Sequence, residues 1–361
     1  MTFYIIFWQS YKLLLILKKK RIFFNLALSQ TGKLTKGSQK NGLPVKFHLD
    51  LFLNMSYNDF MNVHILEMPL DFGASRHGSD MGPSAIRLAG IKQRLEALGH
   101  TTFEHTDIFR AKPQEYQNIG NPKAKYIRPI VKACTKLAGL VEEVSAKDEF
   151  PLVLGGDHSI ALGSIAGIAA TAKKQNKSLG VLYIDAHGDF NDTNTTPSGN
   201  IHGECLAASA GIGLPELINL YFEGQKIDPK NICFVGCRDL DTGEKMLMKN
   251  AGVTVFTMSD IDRHGFPAVV QKVKEFFRKI DMVHVSFDMD VLDPMFAPGT
   301  GIPLPGGLTN REALLLMEEM AETKKVKSAE IVEVNPILDV RNQTAILAVS
   351  LAARLLGETL Y

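Results

Sequence analysis

The chain has 361 residues, of which 45% are hydrophobic and 22% are charged, as in ordinary globular proteins. Forty lysines and arginines against 39 acidic residues leave a net charge of +1, so the composition indicates neither a nucleic-acid partner nor an acidic one. Four cysteines in a chain of this length do not make a disulfide framework. We therefore expect reduced thiols and a cytoplasmic protein.

Residues 1–60 differ in character from the rest of the chain. The apolar run at 3–17 is followed by four basic residues, and no acidic residue precedes Asp50. A secretory signal has the opposite order, and a membrane anchor needs a longer uninterrupted run. An organellar transit peptide stays open, as does translation that begins at Met55 or Met61. We expect 1–60 to be an extension, disordered or not natively translated, on a domain at 61–361, with no stable membrane association.

From Val63 onward, short apolar runs alternate with amphipathic stretches. The predicted strands are 63–68, 150–156, 179–187, 231–237, 253–258, 282–288 and 328–334. The predicted helices include 85–99, 127–144, 266–280 and 310–322. Continuous apolar runs are typical of parallel strands that are buried on both faces. The alternation predicts one α/β domain around a parallel sheet, and in such sheets ligands bind beyond the carboxyl ends of the strands.

Three of the predicted strands lead directly into acidic and histidine residues. The strand at 179–187 leads into DAHGD (185–189), the strand at 282–288 leads into DMD (288–290), and the strand at 150–156 leads into DH (157–158). Alternate side chains of an extended chain point the same way, so each strand end can aim several ligands at one point. The candidate metal ligands are His158, Asp185, His187, Asp189, Asp288 and Asp290.

Four carboxylates that converge would repel one another unless cations neutralise them. Four acids and two imidazoles fit two divalent ions, and the majority of oxygen ligands without cysteine suits a hard ion such as Mn²⁺. Two metals placed this way share a water that becomes a hydroxide near neutral pH. Each motif alone could be a solvated turn or a helix cap, but all three follow strands of one predicted sheet.

The motifs GGDHS (155–159), DAHGD (185–189), SGNIHG (198–203) and SFDMDVLDP (286–294) resemble those of the ureohydrolase family, and within it the arginases, most closely the bacterial ones. The resemblance implies a single three-layer α/β domain with a central, mainly parallel sheet of eight strands. It also implies two manganese ions, one held by His158, Asp185, Asp189 and Asp288 and the other by Asp185, His187, Asp288 and Asp290. A homo-oligomer, trimeric or hexameric, would follow.

The same resemblance implies hydrolysis of the guanidinium group of L-arginine to L-ornithine and urea. The implied catalytic residues are Asp189, His202 and Glu333, with Asp189 and His202 moving protons and Glu333 contacting the guanidinium. The implied substrate-binding residues are Asn191, Ser198, Asn200, Asp241, Glu244 and Glu333. The chemistry agrees, since a planar guanidinium favours a carboxylate partner.

Two positions depart from the family pattern. Ile302 stands where the family usually has threonine, close to the expected guanidinium site, and Val291 stands where it usually has glycine or cysteine. Three alternatives stay open. The chain could be an agmatinase or another guanidino-acid ureohydrolase, a catalytically impaired homologue that binds an amino acid, or, more distantly, a metal-dependent deacetylase.

Overall fold

The computed structural model describes residues 60–359 and the strand backbones at 3–8, 12–17 and 20–21. The chain divides into two units, Met1–Ser56 and Tyr57–Tyr361. In the first unit β1 (Phe3–Trp8) pairs antiparallel with β2 (Lys12–Leu17), which pairs antiparallel with β3 (Lys20–Arg21). The expectation for residues 1–60 falls largely outside the described residues and stays a prediction.

The second unit is built on an eight-stranded sheet. In chain order its strands and one short hairpin are β4 (Asn62–Met68), β5 (Thr101–His105), the hairpin β6 (Gly120–Asn121) and β7 (Ala124–Lys125), β8 (Phe150–Gly155), β9 (Leu179–Ile184), β10 (Ile232–Val235), β11 (Thr254–Phe256), β12 (Met282–Asp288) and β13 (Val326–Val332). The sheet order is β11-β10-β9-β12-β13-β8-β4-β5, and every neighbouring pair is parallel. The predicted fold class is confirmed.

Helices cover both faces of this sheet. They are α1 (Gly82–Leu88), α2 (Ile91–Ala97), α3 (Ile127–Ser145), α4 (Ala161–Lys174), α5 (Cys205–Ser209), α6 (Pro215–Ile218), α7 (Thr242–Ala251), α8 (Met258–His264), α9 (Phe266–Phe276), α10 (Asn310–Glu322) and α11 (Gln343–Leu355). Helices α3 to α7 pack on one face, and α1, α2 and α8 to α11 pack on the other. Among the helices that the structure describes, none is both long and apolar enough to cross a membrane.

The local sequence explains these layers. Strands β8, β9 and β12 are buried along their whole length, as their continuous apolar runs predict. Helix α3 buries Ile130, Leu137 and Val141 on one stripe, at the spacing of an amphipathic helix. Because consecutive side chains of a strand point to opposite faces of the sheet, they pack against different layers of helices. Ile65 thus belongs to one hydrophobic core and Leu66 to the other.

Two of the differences from the predictions have a clear physical reason. The predicted helix at 85–99 is two helices, α1 and α2, separated at Gly90, whose φ of 92° lies in the left-handed region. Strand β5 was not predicted. It lies at the edge of the sheet, and its sequence TTFEH has no continuous apolar run because most of the strand is exposed.

Candidate active site

The candidate ligands converge at the carboxyl ends of β8, β9 and β12. Atom Nδ1 of His158, which follows β8, lies 3.0 Å from Oδ2 of Asp185, 3.1 Å from Oδ2 of Asp189 and 3.1 Å from Oδ2 of Asp288. These side chains are almost completely buried. The four residues that the resemblance assigns to one metal therefore do lie together.

A second group lies beside the first. Atom Nδ1 of His187 lies 3.1 Å from Oδ2 of Asp290 and 3.5 Å from Oδ1 of Asp185. Asp185 thus faces both groups, one with each oxygen, and both groups have the residue types and spacing to hold a metal ion. Asp288, the other residue that the resemblance makes a bridge, faces the first group with Oδ2, while its Oδ1 accepts a hydrogen bond from the backbone of Asp290 at 2.7 Å.

The electrostatics of these groups favour divalent cations. Burial, together with the charges of Asp189 and Asp290, raises the pKa of Asp185 to about 6. Burial and the charges of Asp290 and Asp185 raise the pKa of Asp288 well above its ordinary value. The buried Oδ2 of Asp185 makes no hydrogen bond of suitable geometry within the described part of the chain, although Nδ1 of His158 lies 3.0 Å away. An oxygen-rich donor set that is short of positive charge fits hard divalent ions such as Mn²⁺.

Arg238 holds the segment that carries Asp290. Its guanidinium donates hydrogen bonds to the backbone carbonyls of Asp290 at 2.8 Å, Val291 at 3.0 Å and Leu304 at 2.6 Å. The side chain of Val291 is fully buried in the hydrophobic core and packs next to Gly236. The departure at position 291 is therefore a matter of core packing and removes no ligand.

Tyr183 is a functional residue that the motifs did not reveal. Its hydroxyl donates a 2.7 Å hydrogen bond to Oδ2 of Asp189, and its ring stacks on the imidazole of His158 with centroids 4.5 Å apart. Although burial opposes it, the hydrogen bond and charge of His158, with the Tyr183 hydroxyl, hold the pKa of Asp189 below its ordinary value. The available signal was a polar hydroxyl inside the apolar strand LGVLYI, since a buried hydroxyl requires a partner.

His202 and Glu333 face each other on the cavity wall. Nδ1 of His202 lies 3.2 Å from Oε1 of Glu333, and the same oxygen accepts a 3.0 Å hydrogen bond from the backbone of His158. Burial acts to lower the pKa of His202, but the hydrogen bond and charge of Glu333 outweigh it and raise the pKa to about 9. Glu333 has a φ of 63°, an uncommon conformation for a residue other than glycine and one that often accompanies functional sites.

Four of the candidate ligands, namely His187, Asp189, Asp288 and Asp290, line a cavity of about 140 Å³. Its lining includes five of the six predicted substrate-binding residues, namely Asn191, Ser198, Asp241, Glu244 and Glu333. Nδ2 of Asn191 donates to Asp241 at 3.1 Å, and the backbone of Phe190 donates to Glu244 at 2.8 Å. Burial raises the pKa of Glu244 to about 8. Its hydrogen bonds with Phe190 and Asp241 connect the segment after β9 to the start of helix α7. Glu244 thus also has a supporting position.

Asn200 lies apart from that group. Its amide exchanges hydrogen bonds with the hydroxyl of Ser75, at 2.8 and 3.1 Å, and its oxygen lies 3.3 Å from Nζ of Lys125. It lines an adjacent cavity of about 460 Å³, whose wall also includes Arg76. The two cavities share three lining residues, His202, Ile302 and Glu333. Ile302 is 46% exposed, so the departure at this position places an apolar side chain on the wall of the site.

Comparison with known proteins agrees with this geometry. A family model described as the arginase family matches residues 61–357. The chain belongs to the arginase family. An arginase from Brevibacillus brevis is 46% identical over 300 residues, which cover 83% of this chain and 99% of that protein.

Solved structures of the family have the same fold. The structure of arginase from Bacillus caldovelox matches with a TM-score of 0.78 at 44% identity, over 84% of this chain and all of that one. The structure of arginase from Bacillus cereus matches with a TM-score of 0.77, also at 44% identity, over 83% of this chain and all of that one. The sequence-based assignment to the family is confirmed, and the protein is a hydrolase of the arginase family.

Proposed function

We propose that this arginase-family enzyme uses two manganese ions to hydrolyse the guanidinium group of L-arginine, giving L-ornithine and urea. The observation that carries the proposal is the pair of ligand groups that share Asp185, since four other candidate ligands line the cavity, namely His187, Asp189, Asp288 and Asp290. A carboxylate for a guanidinium, Glu333, lies on the wall of the same cavity.

The six side chains would hold the ions as two overlapping sets. Asp185 would contribute one oxygen to each ion, His158 and Asp189 would bind the first, and His187 and Asp290 the second. Asp288 would bind the first ion and is our second candidate for a bridge. When bound, two such ions supply Lewis acidity and lower the pKa of a water molecule to near neutrality.

The chain's own residues then orient the substrate and move protons. Glu333 would bind the planar guanidinium beside the metal ligands. Asp189, which accepts a hydrogen bond from the hydroxyl of Tyr183, would accept a proton from water and deliver it to the leaving amine. His202 lies on the cavity wall with a titratable imidazole, so it can carry a proton between the site and bulk solvent.

The cavity mouth would recognise the amino-acid end of arginine. The carboxylate of Asp241 is suited to the α-ammonium group. The hydroxyl of Ser198 accepts a hydrogen bond from the backbone of Asn200 at 3.1 Å, which leaves its own proton for a substrate oxygen. Asn191 offers an amide beside it. The hydrogen bonds between Asn200 and Ser75 support a role for Asn200 in holding this loop in place, whether or not it also contacts the substrate.

Two rival functions make different predictions. An agmatinase needs no group for an α-carboxylate, so the hydroxyl and amides at the mouth favour arginine over agmatine. A catalytically impaired homologue would be expected to lose ligands, whereas all six are present and lie in two groups. Ile302 on the cavity wall is the observation in favour of impairment, because it replaces a hydroxyl with an apolar side chain.

We also propose a homo-oligomer in the cytoplasm. The proposal rests on the family and on the four cysteines, all of which are buried and unpaired. Light scattering of the purified protein tests the oligomer, with a trimer or hexamer expected and a monomer contradicting it.

Product analysis tests the proposed reaction. The protein loaded with Mn²⁺ is incubated with arginine that carries ¹³C in its guanidinium carbon. We expect labelled urea and unlabelled ornithine in equal amounts, and no product after the metal is removed by a chelator. Labelled citrulline, or no turnover with both metal positions filled, would contradict the proposal.

A further inference from the structure

A row of buried polar side chains lies behind His158, on the side of the imidazole away from the carboxylates. Ser164, Ser286 and Glu330 are all 0% exposed, and so is His284 next to them. None of them lines either cavity. A carboxylate in the middle of a hydrophobic sheet is costly unless it is fully hydrogen-bonded, so its presence calls for an explanation.

The hydrogen bonds of this row have a defined direction. Oε1 of Glu330 lies 2.7 Å from the hydroxyl of Ser286, and Oε2 lies 2.6 Å from the hydroxyl of Ser164. A carboxylate only accepts hydrogen bonds, so each serine donates its single proton to Glu330. The hydroxyl oxygen of Ser286 can then only accept a hydrogen bond from its other neighbour.

That other neighbour is His158. Its Nε2 lies 2.7 Å from the hydroxyl oxygen of Ser286. Because this oxygen has already donated its proton, Nε2 must be the donor and must carry a hydrogen. The form of histidine that binds a metal ion is the neutral imidazole, which has one such hydrogen, so in that form Nδ1 keeps its lone pair. Nδ1 is the atom that faces Asp185, Asp189 and Asp288.

From this geometry we infer that Glu330 is a positioning residue that acts through Ser286 to keep His158 in the tautomer that binds metal. The inference rests on the proposed metal site. The chain of hydrogen bonds ends on a histidine of the first ligand group and on none of the second, so it affects the affinity of one metal position. Hydrogen bonds of this kind fix the orientation of a histidine ligand and raise its basicity.

The scaffold suits this role. Ser286 lies on β12 and Glu330 on β13, and the two residues are directly paired in the parallel ladder. Ser164 reaches the same carboxylate from helix α4. His284 completes the surroundings, with Nε2 3.4 Å from Oε1 of Glu330 and Nδ1 2.8 Å from the hydroxyl of Ser328. The carboxylate is therefore held by rigid elements rather than by a loop.

The test compares two single substitutions that each remove one hydroxyl from Glu330. Ser286→Ala cuts the link to His158, whereas the control Ser164→Ala leaves that link intact. Binding of Mn²⁺ to the metal-free full-length protein is measured by calorimetry, without arginine. We expect Ser286→Ala to weaken one of the two positions by roughly 10- to 100-fold and to spare the other, as the loss of a histidine's outer partner typically does. Ser164→Ala should bind both ions as the wild type does.

Two results would overturn the inference. One is unchanged binding at both positions in Ser286→Ala, and the other is an equal loss in both variants, which would indicate general damage to the core. A second measurement uses the wild-type protein and does not depend on the folding of a variant. In ¹⁵N spectra of the protein loaded with diamagnetic Cd²⁺, His158 should carry its proton on Nε2, and a proton on Nδ1 would refute the inference. Neither measurement uses a substrate, so inactivity towards arginine would not affect them.

Discussion

The substitution Ser198→Ala isolates the recognition of the substrate carboxylate. Ser198 is exposed on the cavity wall and accepts a hydrogen bond from Asn200, so its own proton is available to the substrate. A hydrogen bond to a charged group contributes ~1.5–3 kcal/mol when buried, and for an exposed hydroxyl we take ~1–2 kcal/mol. That range corresponds to a loss of roughly 5- to 30-fold.

The assay is kcat/KM for arginine and for agmatine, which lacks the carboxylate. We expect Ser198→Ala to lose the full factor with arginine and to stay within about 2-fold of the wild type with agmatine, because agmatine has no group for the missing proton. Ser75→Ala is the matched control, since it removes a nearby hydroxyl that is paired with the amide of Asn200 in the adjacent cavity. Its effect should be the same for both substrates.

Equal losses on arginine and agmatine in Ser198→Ala would refute the assignment of this loop to the carboxylate. A selective loss in Ser75→Ala alone would instead place the carboxylate in the adjacent cavity.

Three further predictions concern the metal groups, the cavity wall and the domain boundary. Asp185→Asn should reduce Mn²⁺ binding at both positions because its oxygens face different groups, whereas Asp290→Asn should reduce only one; metal analysis that finds equal stoichiometries would contradict the shared role. Folding raises the pKa of His202 to about 9, so in the metal-free protein its ion pair with Glu333 should add to the free energy of unfolding. This contribution should be complete below pH 6.5 and should be lost as the pH rises through about 9. The difference in urea-unfolding free energy between the wild type and His202→Asn should therefore narrow with pH, and a constant difference would refute this. A chain that begins at Met61 should be soluble and bind Mn²⁺ like the full chain; failure to fold would show that the extension is required.

Much of the fold could be predicted because the buried strands leave a clear signal. The apolar runs ending near Gly155, Ile184 and Asp288 correspond to β8, β9 and β12, and polar residues follow each of them. Strand β5 could not be predicted in this way, since an exposed edge strand such as TTFEH has no apolar run. The break at Gly90 follows from a left-handed backbone conformation, which the helical periodicity of the sequence does not reveal.

The residues of the site likewise fall into those that the sequence predicts and those that it does not. The candidate metal ligands stand in local motifs, and the structure brings all six together. Tyr183, Ser286 and Glu330 support these ligands from within apolar strands, and their partners are distant in sequence. A single sequence marks such residues only as polar side chains at buried positions, and the sheet register is needed to identify their partners. For Asn200 the motif predicted a substrate-binding residue, whereas in the structure its amide is hydrogen-bonded to Ser75 of a neighbouring loop.

The central claim is tested most directly by side-by-side kinetics of the purified, Mn²⁺-loaded protein on arginine and agmatine, with urea release as the readout. We expect arginine to be hydrolysed with a kcat/KM at least 10-fold above that for agmatine, since a single recognised charged group is worth roughly that factor. Activity should disappear on chelation and return with Mn²⁺. A preference for agmatine, or no urea from either substrate with both metal positions filled, would contradict the proposed function.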